Sequence, residues 1–281
     1  MKTIMVIGAG QMGGGIAQIA AQAGYSIILN DIKDEFVLKG LAVIQKNLSR
    51  SVEKGKLAAE EKEAILGRIT QSTSLQDAAA ADLVIEAAVE NISIKAQIFS
   101  QLDIICPEHT IFSTNTSSLP ITEIATFTKR PDRVIGMHFF NPVPAMELVE
   151  VIRGLATSDE VYKTIEELSV KIGKTPVEVN DAPGFVVNRV LIPMINEAVC
   201  TLYEGIATAE SIDNCMKLGT KQPMGPLELA DLIGLDTVLS IMEVLHEGLG
   251  DKYRPCPLLR KYVKAGWLGR KSGRGFHNYG A

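Results

Sequence analysis

The apolar positions of this chain fall into two regimes. Up to about residue 180, short apolar runs alternate with helical patterns, and beyond it only helical periodicity remains. The first run, Ile4 to Ile7, is continuous, as in a strand buried on both faces. Small and apolar residues follow from Gln11 to a stop at Gly24, the pattern of a closely packed helix, and Tyr25 to Leu29 reads as a second strand. From Asp34 to about Arg68 the chain turns charged and amphipathic, with Gly55 as the expected turn between two helices. This stretch is longer than a strand-to-strand crossover needs, so it reads as a helical-hairpin insertion over about 34–68. Five further strands are expected at Asp82 to Ala87, Thr110 to Asn115, Arg133 to Phe139, Leu148 to Ile152 and Thr175 to Val179. Strands alternating with helices imply a doubly wound, mainly parallel sheet, which makes residues 1–183 an α/β domain. Past Asp181-Ala182-Pro183-Gly184 the strand signal ends. Phe185 to Tyr203 and Leu227 to Leu249 carry the clearest helical patterns, so a smaller all-α domain is expected over 184–281.

The junction of the first strand and helix reads Gly8-Ala9-Gly10-Gln11-Met12-Gly13, a dinucleotide fingerprint of the Rossmann type. Gly8 permits the tight turn, Gly10 lets the backbone approach a pyrophosphate, and Gly13 lets the helix pack closely on the sheet. The helix N-terminus offers N–H groups and a positive dipole end to the phosphates. Asp31 falls 18 residues after Gly13, where a carboxylate can bind both hydroxyls of a ribose. A 2′-phosphate would meet that carboxylate, which favours NAD over NADP; Lys33 nearby could soften the repulsion, so NADP stays open.

Composition removes several function classes. A net charge of −5 gives no general reason to bind nucleic acid, so any anion site must be local. Cys106, Cys200, Cys215 and Cys256 are widely spaced with no CxxC pair, which argues against a zinc site, or any other metal, and against a disulfide framework. The charge-free run Thr3 to Asn30 is long enough to suggest a membrane span, but it holds six glycines and three glutamines and opens on the first strand. It reads as buried strand-helix-strand, with no membrane partner, and without a charged leader the expected location is the cytoplasm.

Hydride transfer needs a group that exchanges a proton near neutral pH, and the chain has four histidines. His109 falls in an expected loop, His246 on an amphipathic helix and His277 in the tail; His138 alone sits at a strand end on the carboxyl edge, where such sheets bind ligands. Glu150, twelve residues on, lies in the neighbouring expected strand and could hold one ring nitrogen. A buried histidine beside an unrelated glutamate is the plainer alternative. Ser117, after another strand end, and Asn188, opening the first helix of the second domain, can each donate to a substrate oxygen. Equally, Ser117 can cap a turn and Asn188 can be a polar group on a helix surface.

Four segments carry a resemblance. Asn115-Thr116-Ser117-Ser118, His138-Phe139-Phe140-Asn141-Pro142, Met146 to Glu150 and Asp181 to Arg189 closely resemble the 3-hydroxyacyl-CoA dehydrogenase family, and the likeness extends over essentially the whole chain. It is most similar to the short, single-function bacterial members. The resemblance implies that His138 is the catalytic base with Glu150 as its partner, and that Ser117 and Asn188 contact the reacting oxygen. It further implies cofactor contacts at Glu90, Lys95, Asn115, Ser117, Asn141 and Lys271, beside those of the fingerprint and Asp31. The implied reaction is NAD-dependent interconversion of (S)-3-hydroxybutyryl-CoA and acetoacetyl-CoA, in fatty-acid and butyrate metabolism.

Arg50, Lys54 and Lys56 then make a local basic cluster suited to the phosphates of an acyl-CoA, although Lys54-Gly55-Lys56 can equally be a solvated turn. The family binds CoA on this side, and Asn47 and Arg50 leave the individual contacts open. Two rivals remain: a dehydrogenase of a free hydroxy acid, and a protein that keeps the NAD site without chemistry. The apolar stretches Leu191 to Leu202 and Leu227 to Leu245 look too long for one small helical domain to bury, and a homodimer through residues 184–281 is expected.

Overall fold

The computed structural model describes residues 1–280, which divide into two compact units, 1–181 and 182–280. The first unit holds one eight-stranded sheet, its strands ordered β3-β2-β1-β4-β5-β6-β7-β8. β1 (Thr3–Ile7) leads into helix α1 (Gln11–Gln22), and β2 (Ser26–Asn30) follows. Next come α2 (Asp34–Glu53), α3 (Ala59–Leu66) and β3 (Ile69–Ser72). β4 (Leu83–Glu86), α4 (Ile92–Ile105), β5 (Ile111–Thr114), α5 (Ile121–Ala125) and β6 (Val134–Phe139) continue the alternation. β7 (Leu148–Arg153), α6 (Asp159–Lys171) and β8 (Thr175–Asn180) complete the unit.

The first six strands run parallel, in the order of a doubly wound dinucleotide-binding sheet. The direction then reverses. β7 pairs antiparallel with β6 after a short connection, and β8 lies parallel to β7. Every residue of β4, β5 and β6 is buried, so these strands open on apolar residues, and polar ones such as Glu86, Thr114 and His138 fall towards their carboxyl ends.

β3 is a strand that periodicity did not reveal. Its four residues, Ile-Thr-Gln-Ser, form a partly exposed edge with too few buried positions for a repeat to show. Consequently α2 and α3, expected as an insertion, serve as the crossover from β2 to β3.

The second unit is all-helical: α7 (Val187–Tyr203), α8 (Ala209–Thr220), α9 (Pro226–Ile233), α10 (Leu235–Leu249) and α11 (Pro257–Lys264). The pattern from Leu227 to Leu249 is not one helix. Gly234, at φ +103°, takes a backbone shape that L side chains resist and splits it into α9 and α10. The two long apolar stretches are largely consumed within this unit, where Ile192, Ile195, Val199, Leu227, Leu235 and Leu245 share one core. The premise for a dimer through those stretches therefore fails. Most exposed apolar side chains of the unit lie outside them, among them Val190, Ile206 and Leu218, and Leu232 is the half-exposed exception within.

A single carboxylate closes the second unit. Asp231 is fully buried in α9 and accepts hydrogen bonds from the Phe276 N–H at 2.9 Å, the His277 N–H at 2.8 Å and the Tyr279 hydroxyl at 3.0 Å. Burial and the adjoining Asp231 carboxylate push the Tyr279 phenol up to about 12. That bond is complete below the usual phenol range of about 10 and is lost only as pH rises towards 12. Asp231→Ala is expected to strand these partly buried donors and lower the stability of this unit by on the order of 3 kcal/mol. Urea denaturation measures the loss, and an unchanged midpoint would show that the tail is held by other means.

Candidate active site

The β1–α1 junction builds an anion cradle from backbone alone. Gly8 has φ +98°, and a Cβ there would lie 2.4 Å from the Ala87 carbonyl oxygen after β4. A Cβ on Gly13 would fall 1.8 Å from the Gly8 carbonyl oxygen, so α1 can start where it does only without side chains. Gly10 caps α1, and a Cβ on it would meet no protein atom within 4 Å. Open space therefore lies above the first helical turn, whose N–H groups have no intrahelical acceptors. A cavity of about 660 Å³ adjoins it, lined by Ala9, Gly10 and Gln11, by Asp31, and by Lys39 and Asn47 of α2. This arrangement fits a dinucleotide.

Asp31 is fixed by its neighbours. One carboxylate oxygen accepts the Ala9 N–H at 2.8 Å and the other the Ile32 N–H at 2.7 Å, which ties the acid to the glycine turn. Lys33 does not offset it; its ammonium pairs with Glu35 at 3.4 Å and lies over the Phe36 ring. The Asp31 carboxylate thus stands at the ribose position with Lys33 paired elsewhere, consistent with NAD.

The loops after β4, β5 and β6, with α4, supply the remaining groups. Asn115 follows β5 and accepts the Phe139 N–H at 3.0 Å, and Asn141 after β6 accepts from the Gln11 amide at 2.8 Å. Glu90 gathers the turn that carries Ser117: one of its oxygens accepts the Thr116 hydroxyl, the Ser117 N–H at 3.0 Å and the Ser118 hydroxyl at 3.1 Å. Lys95 is buried, 2.7 Å from both oxygens of Glu86 and 3.5 Å from Glu90.

His138 and Glu150 stand directly opposite each other across the antiparallel β6–β7 pair. Side chains at such positions share a face of the sheet. The ring Nδ1 lies 2.7 Å from a Glu150 oxygen, Phe140 packs on the ring at 4.4 Å, and both members are buried. With Glu150 accepting the Nδ1 proton, the basic lone pair lies on Nε2. The other histidines hold different posts: His109 pairs with Asp82, His246 with Asp251, and His277 with Asp213.

Arg50, Lys54 and Lys56 are exposed at the C-terminal end of α2. Asp31 precedes the other end, so at 1.5 Å per residue about 25 Å of helix separates the two. In the second unit Asn188 opens α7 and is only 8% exposed, so it is not a surface group. Lys271 there binds both oxygens of Asp236, at 2.6 and 2.7 Å. Burial alone would raise the Asp236 carboxyl, but hydrogen bonds from Lys271 and the Thr237 N–H overcome it and hold it low.

Three residues escaped the sequence. Lys39 lines the cavity with Val43 and Asn47 at helical spacing, a signal readable only once α2 is known to face that cavity. Lys174 gives its buried ammonium to the carbonyls of Val143 and Met146, both at 2.6 Å, and so pins the loop between His138 and Glu150. Burial lowers its pKa, against the pull of Glu147. Glu86, an acid ending an apolar strand, was the third.

Comparison with known proteins adds a family. The sequence profile of the 3-hydroxyacyl-CoA dehydrogenase NAD binding domain matches residues 3–182, and that of the C-terminal domain of the same family matches 184–279. The chain belongs to the 3-hydroxyacyl-CoA dehydrogenase family. It is an NAD-binding oxidoreductase acting on a CH–OH group. A probable 3-hydroxybutyryl-CoA dehydrogenase of Bacillus subtilis is 63% identical over 280 residues, covering 99% of this chain and 98% of its own. A 3-hydroxybutyryl-CoA dehydrogenase of Bradyrhizobium diazoefficiens is 55% identical, covering 99% of this chain and 96% of its own. The crystal structure of (S)-3-hydroxybutyryl-CoA dehydrogenase from Ralstonia eutropha superposes with a TM-score of 0.98 at 52% identity, over 100% of both chains.

The glycines separate binding from folding. Gly10→Ala is expected to leave stability unchanged while weakening NADH binding, because its methyl enters only the cradle. Gly13→Ala is expected to lower stability by about 1–3 kcal/mol through overpacking. Paired urea titrations and NADH fluorescence titrations read both effects; equal stability losses in the two variants would refute the assignment of the cradle.

Proposed function

We propose that this protein interconverts (S)-3-hydroxybutyryl-CoA and acetoacetyl-CoA with NAD, using His138 and Glu150 as its acid–base pair. The observation that carries the reading is the 2.7 Å His138–Glu150 contact on the sheet edge that also bears the dinucleotide cradle. NAD, which the Gly8–Gly13 turn and Asp31 would hold, would supply the hydride acceptor for carbon 3 of the substrate. His138 Nε2 takes the hydroxyl proton, and Glu150 holds the ring and balances the charge that forms on it. In the reverse direction the protonated ring returns that proton to the ketone. Ser117 and Asn188 donate hydrogen bonds to the reacting oxygen and polarise it. The names of the relatives support the four-carbon CoA thioester.

His138→Ala is expected to lower turnover about a hundredfold to ten-thousandfold, the usual contribution of a general acid–base group, with NADH binding retained. Following NADH absorbance with acetoacetyl-CoA and with free 3-oxo acids tests the reaction and its substrate class together. Turnover of free acids at equal efficiency would reject the CoA thioester, and a variant with nearly full activity would remove His138 from the chemistry.

Arg50, Lys54 and Lys56 hold the CoA phosphates in this reading. Lys54→Glu then raises the KM for acetoacetyl-CoA, barely affects a pantetheine thioester lacking the nucleotide, and loses most of its effect in added salt. Equal losses on both thioesters would return the cluster to a solvated turn.

We also propose that the protein works as a homodimer joined through the second unit, by its exposed apolar side chains and not by the stretches its own core consumes. Val190 is 68%, Ile206 69% and Leu218 83% exposed, and a dimer interface through this unit would cover them. A monomeric mass in solution at micromolar concentration would refute this; no helix among the described residues is long and apolar enough to cross a membrane.

A further inference from the structure

The most deeply buried acid at the dinucleotide edge touches nothing that could be a ligand. Glu86 ends β4 with no exposed surface, between Ile7 of β1 and Thr114 of β5 in the sheet. One of its oxygens accepts the Ala88 N–H at 2.7 Å and the Lys95 ammonium at 2.7 Å. The other accepts Lys95 again at 2.7 Å and the Thr114 hydroxyl at 2.6 Å. Four hydrogen bonds from three groups occupy its lone pairs, so Glu86 has no capacity left for substrate or cofactor.

Its influence reaches further through charge. Lys95, itself buried, stands between Glu86 and Glu90, and the second carboxylate is partly exposed. Glu90 in turn holds the Thr116–Ser118 turn by three hydrogen bonds to a single oxygen. We propose that Glu86 is a positioning residue: by holding the Lys95 ammonium it fixes Glu90, and through Glu90 the turn that presents Ser117. The proposal rests on the dehydrogenase reading above for the role of Ser117. Physically, Glu86 keeps Lys95 back from Glu90 at 3.5 Å. Without the Glu86 charge, a buried ammonium draws its remaining partner in to about 2.8 Å, the ordinary length of a charge-assisted bond. That movement pulls Glu90 away from the turn.

The test uses the full-length protein with Glu86→Gln, Glu90→Gln and the double variant, read by NADH affinity from fluorescence, by kcat and KM, and by thermal unfolding. Glu86→Gln is expected to lower kcat about tenfold or more, the effect of displacing a positioned group by a fraction of an ångström. The KM for acetoacetyl-CoA stays near wild type and the Kd for NADH rises several-fold. The double variant should be no worse than Glu90→Gln alone, because both act along one path. If Glu86→Gln does not fold, Glu86→Asp, which keeps the charge but withdraws it by one methylene, shows the same pattern at smaller size. A variant that unfolds earlier yet keeps wild-type kcat and NADH affinity overturns the proposal, and so do losses that simply add. Failure of the dehydrogenase reading is distinguishable: wild type then lacks turnover with acetoacetyl-CoA, while the NADH affinities still report on the relay.

Discussion

The first unit depends on three places where one backbone approaches another too closely for a side chain. A Cβ on Gly8 would collide with the Ala87 carbonyl, one on Gly13 with the Gly8 carbonyl, and one on Gly40 with the Ala9 carbonyl, at 2.4, 1.8 and 2.4 Å. These contacts bring β1, the loop after β4, α1 and α2 together around one turn. The turn then presents the amino end of a helix to a cavity, and Asp31, bonded to the Ala9 N–H, is registered to the same turn. Phosphate and ribose recognition are thus two readings of one tightly packed backbone.

The proposed chemistry depends on a different constraint, the reversal of direction at β7. In a wholly parallel sheet the strand after β6 would return by a long crossover. Here the chain turns at the carboxyl edge, so His138 near the end of β6 faces Glu150 near the start of β7. Because side chains alternate between faces, a slip of one residue in β7 would send Glu150 to the other side of the sheet. Lys174 helps to hold the intervening loop through the Val143 and Met146 carbonyls.

Much of this was legible in the residues. The glycine fingerprint with an acid 18 positions on is a local pattern, and continuous apolar runs mark buried parallel strands wherever they occur. His138 was separable from the other histidines by its place at a strand end. What escaped was information carried by neighbours remote in sequence. β3 is a short, half-exposed edge without a period, and Gly234 breaks a helix whose apolar repeat runs through the break. The core of the second unit absorbs apolar stretches that looked excessive when counted along one dimension. Glu86 and Lys174 are single charges in apolar surroundings, and only the fold shows which atoms they satisfy.

The tail of the second unit carries a consequence for sequence drift. Gly269 and Gly275 both lie against Asp231, where a Cβ on the first would come within 2.3 Å of the Asp231 backbone oxygen and one on the second within 1.8 Å of its carboxylate. An acid that needs the tail, and a tail that leaves room only for that acid, constrain each other. A larger residue at 269 pushes on the Asp231 backbone and one at 275 displaces its carboxylate, while a smaller residue at 231 leaves the amides of Phe276 and His277 without their acceptor. Positions 231, 269 and 275, well separated along the chain, therefore behave as one unit of substitution. A change at any one of them thus alters the cost of a change at the other two.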